Sequence, residues 1–484
     1  MEPLSELPLT IPRRGSRSIL SALHGQLRGG ILDGRLKPGM RLPSTRVLAS
    51  TCGVSRNTAV AAYDLLLSEG YVSARRGSGT TVAASLPRRS KSRVPVNRTH
   101  SQLKLERRWR DRTIPAQLYS SLGCRYPFQI GVPDPASFPF DTWRRLSGRV
   151  INAMRGAPAL KFEPQGHLAL REAISRHVSF SRAVACGPDE VVVTAGAQQA
   201  FELLARVLTT SGATTVALEN PGYPPIRAAF EAHGARIAPV PVDAEGLVVE
   251  RLPAQAHVVC VTPSHQFPLG AVMSARRRTA LLEHCQRSGA SIIEDDYDGE
   301  FRFVDRPLDA LQTLDRTQSV FYVGTFSKCL RPDLRLGYIV APDWAVSALV
   351  AAKLLADGPC GTMMQATLAL LIRDGHLARH TRKMQRTYGR RRELLLAGLE
   401  SGFRDWLEPL PSVAGLHLAV KFIVDRDEAE VQQRARELGV GVGTLKPFFL
   451  GRPTLRGLVL GFGAIGERAI APALSLLRRT LQHQ

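Results

Sequence analysis

The sequence VGTFSKCLRPDLRLGY, residues 323–338, places one lysine in a hydroxyl-rich turn directly after an apolar run. That run, residues 319–323, has the length and composition of a buried strand. Thr325 and Ser327 precede Lys328, and a lysine in such a turn is a candidate nucleophile. Most lysines are solvated surface charges, so the turn alone leaves both interpretations open.

Apolar strand-like runs alternate with helical patterns from Pro127 onward. Residues 191–194 precede a helical pattern at 198–208, and residues 215–218 precede one at 226–233. This alternation predicts an α/β domain built on a mostly parallel sheet. Ligands of such domains bind at the carboxyl ends of the strands.

Polar residues recur at these predicted strand ends. Ala197 and Gln198 begin a helix after a short glycine turn, where backbone N–H groups bind anions. Tyr223 follows another strand and either stacks on a planar ligand or packs in the core. Residues 294–298 place several carboxylates at a strand end, which is costly unless they are solvated or paired. A lysine, an acid, a phenol, an aromatic ring and an anion-binding helix end together predict a site for pyridoxal 5'-phosphate.

Residues 125–484 resemble the fold type I aminotransferases, which are α/β pyridoxal phosphate enzymes. The motifs that carry the resemblance are EPQGxxxLR at 163–171, TxGxQQ at 194–199, PGY at 221–223, TPSHQFPxG at 262–270, DxY at 295–297, and SK at 327–328 followed by Arg335. The resemblance implies that Lys328 forms an aldimine with the coenzyme, that Asp295 pairs with its ring nitrogen and that Tyr297 bonds its ring oxygen. It also implies stacking by Tyr223 and a phosphate site formed by Ala197, Gln198, Thr325, Ser327 and Arg335.

The sequence departs from the aminotransferase pattern at two positions. Phe267 stands where aminotransferases carry an asparagine that bonds the ring oxygen, and His265 or Gln266 is the candidate replacement. Val459 stands where an arginine holds the substrate carboxylate, and Arg456 lies three residues away. The second departure argues against transamination of amino acids, because a guanidinium is well suited to bind a carboxylate.

The net charge of +22 is concentrated near the N-terminus. Residues 1–112 contain 21 Lys and Arg and 7 Asp and Glu, which gives 21 − 7 = +14. A local positive charge of this size favours nucleic acid as a partner over a membrane surface. No run of apolar residues is long enough for a membrane span, no signal peptide begins the sequence, and the seven cysteines fit neither a disulfide framework nor a metal site. We therefore expect a cytoplasmic protein without a structural metal.

Three short helices are predicted before residue 70. The first carries apolar residues at helical spacing at positions 20, 23, 27 and 31. Ser44 is the predicted N-cap of the second, whose apolar face is Val47, Leu48 and Cys52, and Ser55 that of the third, whose inward residues are Ala59, Val60, Tyr63, Leu66 and Leu67. The short connection and the polar start of the third helix predict a helix-turn-helix. Residues 70–74 and 80–82 predict two wing strands around a turn that contains Arg75, Arg76 and Gly77.

The run GxLxPGxRLPSxRxLA at 34–49, followed by GVSRNT at 53–58 and EGY at 69–71, resembles the winged helix of GntR-type transcription regulators. The resemblance implies DNA contacts by Arg46, Arg56, Asn57, Thr58, Arg76 and Gly77, and the predicted DNA-binding set also includes Ser44, Ser55 and Arg75. Relatives often carry an arginine two positions after Thr58, where this chain has Val60.

A winged helix fused to an aminotransferase-like domain resembles the MocR subfamily. We expect a mainly α winged helix-turn-helix at 12–84, a basic flexible linker at 85–124 and the coenzyme- and effector-binding domain at 125–484. The resemblance implies a head-to-tail homodimer on double-stranded operator DNA. The predicted function is a pyridoxal phosphate-dependent regulator that senses the coenzyme or an amine or amino acid through Lys328. The alternative is an aminotransferase with an accessory DNA-binding head.

Overall fold

The structure is a computed structural model that describes residues 9–10, 19–75, 79–84, 109, 123–156, 163–303, 309–359 and 361–482. The chain divides into two compact units, Met1–Leu105 and Glu106–Gln484, which we call the N-terminal and C-terminal units. Most of the predicted linker lies outside the described residues, as do Arg76 and Gly77 of the predicted wing turn.

The described part of the N-terminal unit contains three helices and a two-stranded antiparallel sheet. The elements are α1 Ile19–Leu32, α2 Thr45–Cys52, α3 Arg56–Ser68, β1 Val72–Arg75 and β2 Gly79–Val82. Leucines of α1, α2 and α3 pack with Val72 and Val82 of the sheet in one apolar core. The predicted helix-turn-helix and wing are therefore confirmed.

Two serines begin the helices of the helix-turn-helix. Ser44 Oγ accepts a hydrogen bond from Val47 N at 3.3 Å, and Ser55 Oγ accepts one from Thr58 N at 3.1 Å. Each bond satisfies an N–H that has no partner within its helix. Gly53, in the left-handed conformation at φ 64°, ends α2 and sets the turn. Both predicted caps are confirmed.

Three side chains that we expected in this core are exposed instead. Val47 is 46% exposed, Val60 37% and Leu67 45%. Helical periodicity marks a broad apolar stripe, and the neighbours of these residues, Leu48, Ala59 and Leu66, fill the contact between the helices. The expected wing turn is also shorter, because Arg75 pairs with Gly79 within the sheet.

The C-terminal unit alternates strands and helices over most of its length. Its helices are α4 Phe140–Met154, α5 Leu168–Arg182, α6 Ala197–Leu208, α7 Pro224–Ala232, α8 Ala275–Ser288, α9 Asp343–Ala356, α10 Thr362–Arg373, α11 His376–Gly402, α12 Glu428–Glu437 and α13 Glu467–Gln482. Its strands are β3 Tyr126–Pro127, β4 Val191–Thr194, β5 Thr215–Asn220, β6 Arg236–Asp243, β7 Gly246–Leu247, β8 Val258–Val261, β9 Ser291–Asp296, β10 Val320–Thr325, β11 Gly337–Val340, β12 Leu407–Pro409, β13 His417–Phe422, β14 Val440–Gly441, β15 Gly443–Thr444 and β16 Gly457–Gly461.

Eight strands form the main sheet in the order β4-β11-β10-β9-β8-β5-β6-β7. The pairs among β10, β9, β8, β5 and β6 are parallel, whereas β11 is antiparallel to both of its neighbours and β7 is antiparallel to β6. The expected mostly parallel sheet is confirmed. A second, antiparallel sheet in the order β12-β13-β16-β15 follows near the C-terminus.

Apolar clusters cover the main sheet on both faces. Residues of α6, α7 and α9 pack with alternate strand residues such as Val323, and residues of α8 pack with Val320 and Ile292 on the other strand faces. Because both faces of these strands are buried, their interior side chains are apolar. Polar side chains therefore occur at the strand ends. Within the described residues, no helix is both long enough and apolar enough to cross a membrane.

Candidate functional site

A cavity of about 250 Å³ lies at the carboxyl ends of the central strands of the main sheet. All nine residues predicted to bind the coenzyme line it: Ala197, Gln198, Tyr223, Asp295, Tyr297, Thr325, Ser327, Lys328 and Arg335. Lys328 follows β10, Asp295 is the last residue but one of β9, Tyr223 follows β5, and Ala197 begins the helix after β4. The parallel strands bring these positions to one edge of the sheet, as strand order in α/β domains requires.

Lys328 is anchored by a residue that sequence patterns did not reveal. Its Nζ donates a hydrogen bond to the carbonyl oxygen of Gly131 at 2.8 Å, across 197 positions of sequence. Gly131 has φ +67°, and a Cβ there would lie 2.6 Å from Nζ. Burial lowers the pKa of the Lys328 ammonium, and the carboxylates of Asp298 and Asp295 oppose that shift. A lowered pKa favours the neutral amine, which is the nucleophilic form.

Asp295 is 7% exposed and presents an unsatisfied oxygen. Burial, followed by the charges of Asp296 and Asp298, raises the pKa of its carboxyl well above the usual value. Its Oδ1 is buried, and no described residue hydrogen-bonds to it. An orphaned buried carboxylate oxygen is costly. A ligand that carries a positively charged N–H at this position would satisfy it.

Backbone and hydroxyl groups form an anion-binding end of the cavity. The first N–H groups of α6 belong to Ala197 and Gln198, and such groups have no partner within a helix. Thr325 Oγ1 lies 3.0 Å from Ser327 Oγ, and Thr325 Oγ1 also accepts a hydrogen bond from Ser327 N at 3.2 Å. Helix N–H groups and hydroxyls together suit a phosphate.

Arg335 completes this anion-binding end. It has a positive φ of 51°, and its guanidinium donates to the carbonyl oxygen of Ala195 at 2.6 Å. Gly196, at φ +79°, leaves room for it, since a Cβ there would lie 3.2 Å from the guanidinium carbon. The guanidinium is thereby held beside the first turn of α6, where its charge adds to the helix dipole.

Tyr297 is connected to a buried network. Its hydroxyl lies 2.8 Å from His265 Nδ1, which is also 3.0 Å from Asp298 Oδ2. His265 Nε2 lies 3.1 Å from Ser412 Oγ, and Ser412 donates to the carbonyl oxygen of Ala414. Since the serine proton is used, Nε2 of His265 is the donor to Ser412. Nδ1 then either accepts from the tyrosine hydroxyl or, on the imidazolium, donates to Asp298.

The two candidate replacements for the missing asparagine have different positions. His265 reaches the cavity through Tyr297. Gln266 is fully buried and donates to Glu219 and to the carbonyl oxygen of Pro221, and so holds the loop that bears Phe267. Of the two, His265 has the connection to the site.

Val459 stands at the position where the resemblance to aminotransferases implies a carboxylate-binding arginine, and its surroundings are apolar. Val459 on β16 is fully buried and belongs to a cluster with Phe267, Phe448 and Phe449. Arg456 points elsewhere, because its guanidinium pairs with Asp425 at 2.6 Å on the surface. Arg456 therefore does not replace the missing arginine, although it lies three residues away in sequence.

Tyr223 is half-buried and makes edge contacts with two aromatic rings. The centroid of its ring lies 5.3 Å from that of Phe267 and 6.3 Å from that of Phe201. The interplanar angles of 82° and 65° are those of edge-to-face contacts. Tyr223 therefore packs against core rings, and it also lines the cavity.

His417, at the start of β13, is a cavity residue that the sequence patterns did not reveal. Its Nε2 lies 3.1 Å from the carbonyl oxygen of Pro268. Burial, followed by the proximity of His265, lowers its pKa to about 3. The imidazole is therefore neutral near pH 7 and carries its proton on Nε2, because a carbonyl oxygen only accepts. Donor atoms of His265, Asp298 and His417 lie within 4.8 Å of one another, and hydrogen bonds already use most of them.

The predicted DNA-binding residues divide into exposed groups and caps. Arg46, Arg56 and Asn57 are exposed on α2 and the first turn of α3. Thr58 is half-buried, with its hydroxyl 2.8 Å from that of Ser55. Among the described residues, neither Arg46 nor Arg56 forms a salt bridge, so both guanidiniums are available to a polyanion.

The other predicted DNA contacts are the two cap serines and the residues at the wing turn. Ser44 and Ser55 use their hydroxyls as helix caps. Arg75 lies on β1, and its side chain, like Arg76 and Gly77, lies outside the described part of the chain.

Comparison with known proteins agrees with both units. Residues 21–82 match the model of the gntR family of bacterial regulatory proteins, and residues 136–450 match aminotransferase class I and II. The probable rhizopine catabolism regulatory protein MocR of Rhizobium meliloti is 35% identical over 463 residues, 94% of this chain and 92% of that protein. The pyridoxine biosynthesis transcriptional regulator PdxR of Corynebacterium glutamicum is 33% identical and covers 96% of each chain.

The C-terminal unit also resembles solved structures. The multiple substrate aminotransferase of Thermococcus profundus superposes with a TM-score of 0.72 and 25% identity, over 80% of this chain and 98% of that one. The likeness to this enzyme covers 80% of the chain, whereas the likeness to the regulator MocR covers 94%.

Proposed function

The chain belongs to the MocR-like regulators, in which a GntR-type winged helix precedes an aminotransferase class I and II domain, and we propose how its two units share the work. It is a transcription regulator that depends on pyridoxal phosphate. In our proposal, the winged helix at 12–84 binds operator DNA and the domain at 125–484 senses the coenzyme or an amine at Lys328. The observation that carries the proposal is that all nine predicted coenzyme residues line one cavity, while the position expected for a carboxylate-binding arginine is Val459 in an apolar cluster. Such a role on DNA implies a cytoplasmic location.

The cavity residues fit pyridoxal phosphate. The unsatisfied Oδ1 of Asp295 suits the protonated ring nitrogen, and the α6 N-terminus with Thr325, Ser327 and Arg335 suits the phosphate. In our proposal Tyr297 bonds the ring oxygen and Tyr223 stacks on the ring face. When bound, the coenzyme supplies an aldehyde that condenses with primary amines, Lys328 first among them.

Protein groups around Tyr297 control one proton. When the tyrosine hydroxyl donates to a ligand oxygen instead of His265, Nδ1 of His265 loses its donor. Asp298 Oδ2 lies 3.0 Å from the same nitrogen. Release of Lys328 from Gly131 is the other change that ligand binding requires.

Regulation needs a difference in free energy between the bound and free states. In our proposal that difference arises at Lys328 and Arg335, whose hydrogen bonds to Gly131 and Ala195 compete with ligand contacts. A head-to-tail homodimer would convert such a change into the spacing of two winged helices on the operator. The arginines of α2 and α3 would make its contacts with phosphates and base edges.

The test compares the coenzyme-loaded and coenzyme-free protein on DNA. We expect the full chain to bind a fragment of its own upstream region at moderate salt, and the affinity or footprint to change when the coenzyme is removed. Equal binding in both states would remove the sensing role, and failure to bind any such fragment would remove the DNA role.

A second experiment addresses the alternative. Turnover of amino donors with 2-oxoglutarate at ordinary enzyme rates would favour an aminotransferase with a DNA-binding head. We expect no such turnover with amino acids, because Val459 offers no charge to their carboxylate.

A further inference from the structure

The cavity contains a place for a ligand beyond the coenzyme, and its charge pattern defines the ligand. Besides His417, two described lining residues can carry a positive charge. They are Lys328 and Arg335. Arg335 belongs to the anion-binding end, where it donates to the carbonyl oxygen of Ala195 at 2.6 Å. In the proposed function, the Lys328 amine condenses with the coenzyme. Among the described lining residues, no cation then remains for a carboxylate.

Phe267 and Phe448 give the cavity an apolar lining, and buried residues of the second sheet lie behind them. Val459 and Ala419 are paired across β16 and β13, and Phe267 and Phe448 pack with them. The rings of Phe267 and Phe448 lie 5.0 Å apart at 88°. A carboxylate placed against this surface would lose its hydration without gaining an ion pair, which is strongly unfavourable.

His417 adds one polar group to this lining. Its Nε2–H is committed to the carbonyl oxygen of Pro268, and no described residue hydrogen-bonds to its Nδ1. The neutral ring therefore offers Nδ1 as an acceptor and no positive charge. The centroid of the ring lies 5.4 Å from that of Phe267, so the acceptor lies beside the apolar lining. A neutral hydroxyl satisfies such an acceptor, and a carboxylate does not.

We infer that the effector is a small primary amine that carries a neutral hydrogen-bond donor in place of a carboxylate, and that His417 accepts from that donor. This inference rests on the proposed function, because the amine is recognised beside the coenzyme. It narrows that function to amino alcohols and related amines, and it excludes α-amino acids. His417 acts as a specificity residue, and the apolar cluster around Val459 acts as the barrier against carboxylates.

The experiment uses three ligands with one carbon and nitrogen skeleton: L-alaninol, isopropylamine and L-alanine. Each is titrated into the coenzyme-loaded full chain while the coenzyme absorbance and the affinity for the upstream DNA fragment are followed. Free pyridoxal phosphate with the same amines provides the correction for intrinsic reactivity. We expect L-alaninol to bind at least about tenfold more tightly than L-alanine.

Variants of His417 distinguish loss of the Nδ1 acceptor from general damage to the site. His417→Phe should weaken L-alaninol about threefold to tenfold and leave isopropylamine unchanged, because only the alcohol uses the acceptor. His417→Asn, which keeps an acceptor oxygen near the position of Nδ1, should restore most of the preference. Retention of the coenzyme band in each variant checks that the site is intact.

Three outcomes overturn the inference. L-alanine binding as tightly as L-alaninol would show that a cation reaches the carboxylate. Equal loss of all three ligands in His417→Phe would reduce His417 to a structural residue. Absence of any amine response, with the coenzyme band and DNA binding intact, would leave the coenzyme itself as the signal. Absence of the coenzyme band in the wild-type protein would instead contradict the proposed function.

Discussion

The two units present their functional residues in opposite ways. In the N-terminal unit, Arg46, Arg56 and Asn57 are exposed, and helix caps only a few residues away fix the helices that carry them. In the C-terminal unit, Asp295 and Lys328 lie in a cavity, and the bond that anchors Lys328 spans 197 positions of sequence. An exposed charge costs little before its partner arrives, whereas a buried one requires a ligand or a shifted pKa. DNA affinity in the first unit thus depends on a few local bonds. Coenzyme affinity in the second unit depends on contacts between distant parts of the chain.

Loss of Lys328 tests the most demanding part of this contrast. We expect Lys328→Ala and Lys328→Arg both to abolish the coenzyme band and its fixation by borohydride, because neither side chain offers a condensing amine. Hydrogen exchange of α3 should be unchanged, since that helix belongs to the other unit. A band that survives in Lys328→Arg would show that charge, and not nucleophilicity, holds the coenzyme.

Burial of acids predicts a pH effect confined to the C-terminal unit. Burial raises the pKa of Glu219 to about 7 from an ordinary 4.5. The folded state therefore keeps a proton that the unfolded chain has lost, so the stabilisation is present below pH 4.5 and declines as the pH rises through 7. The full difference is about 3 kcal/mol.

Glu219→Gln removes this contribution. We expect the difference in free energy of unfolding between wild type and variant to shrink by about 3 kcal/mol from pH 4.5 to 8. Tryptophan fluorescence reports it, because all four tryptophans lie at or after residue 109. A difference that stays constant over this pH range would contradict the assigned pKa. The exchange of N-terminal amides should not follow the same profile.

Arg56→Ala tests the exposed face. We expect a loss of about 1–3 kcal/mol in affinity for the upstream fragment, with the coenzyme band unchanged. A uniform loss on all sequences together with a smaller salt slope would assign Arg56 to phosphate, and a loss of discrimination would assign it to a base edge. Arg287→Ala, a surface arginine of α8, is the control for general charge. An equal effect of both variants would contradict a specific contact.

Ser55→Ala should have the smallest effect. Removal of the cap leaves the N–H of Thr58 without its partner and costs about 1 kcal/mol. Hydrogen exchange of α3 should accelerate accordingly, while the tryptophan unfolding curve of the C-terminal unit stays in place. A shift of that curve would show that the two units are energetically coupled, and would weaken the contrast between them.

Sequence patterns predicted what is local. The caps at Ser44 and Ser55, the wing pairing and the strand-end positions of Asp295 and Lys328 all follow from neighbouring residues. Apolar periodicity failed at Val47, Val60 and Leu67, because it does not distinguish the centre of an apolar stripe from its margin.

What sequence patterns missed is long-range. The bond from Lys328 to Gly131 uses a backbone carbonyl, which leaves no mark on side-chain identity. His417 lies on a strand of the second sheet and reaches the cavity only through the tertiary fold. The antiparallel insertion of β11 between β4 and β10 was equally absent from the alternating pattern.

The distance between the end of the winged helix and His417 along the chain also orders events during translation. The winged helix is complete once residue 84 has left the ribosome, and N-terminal domains generally fold first. At about 5–20 residues per second, His417 follows roughly 20–70 s later. Each newly made chain therefore acquires its DNA-binding surface well before it has a site for the signal that governs it.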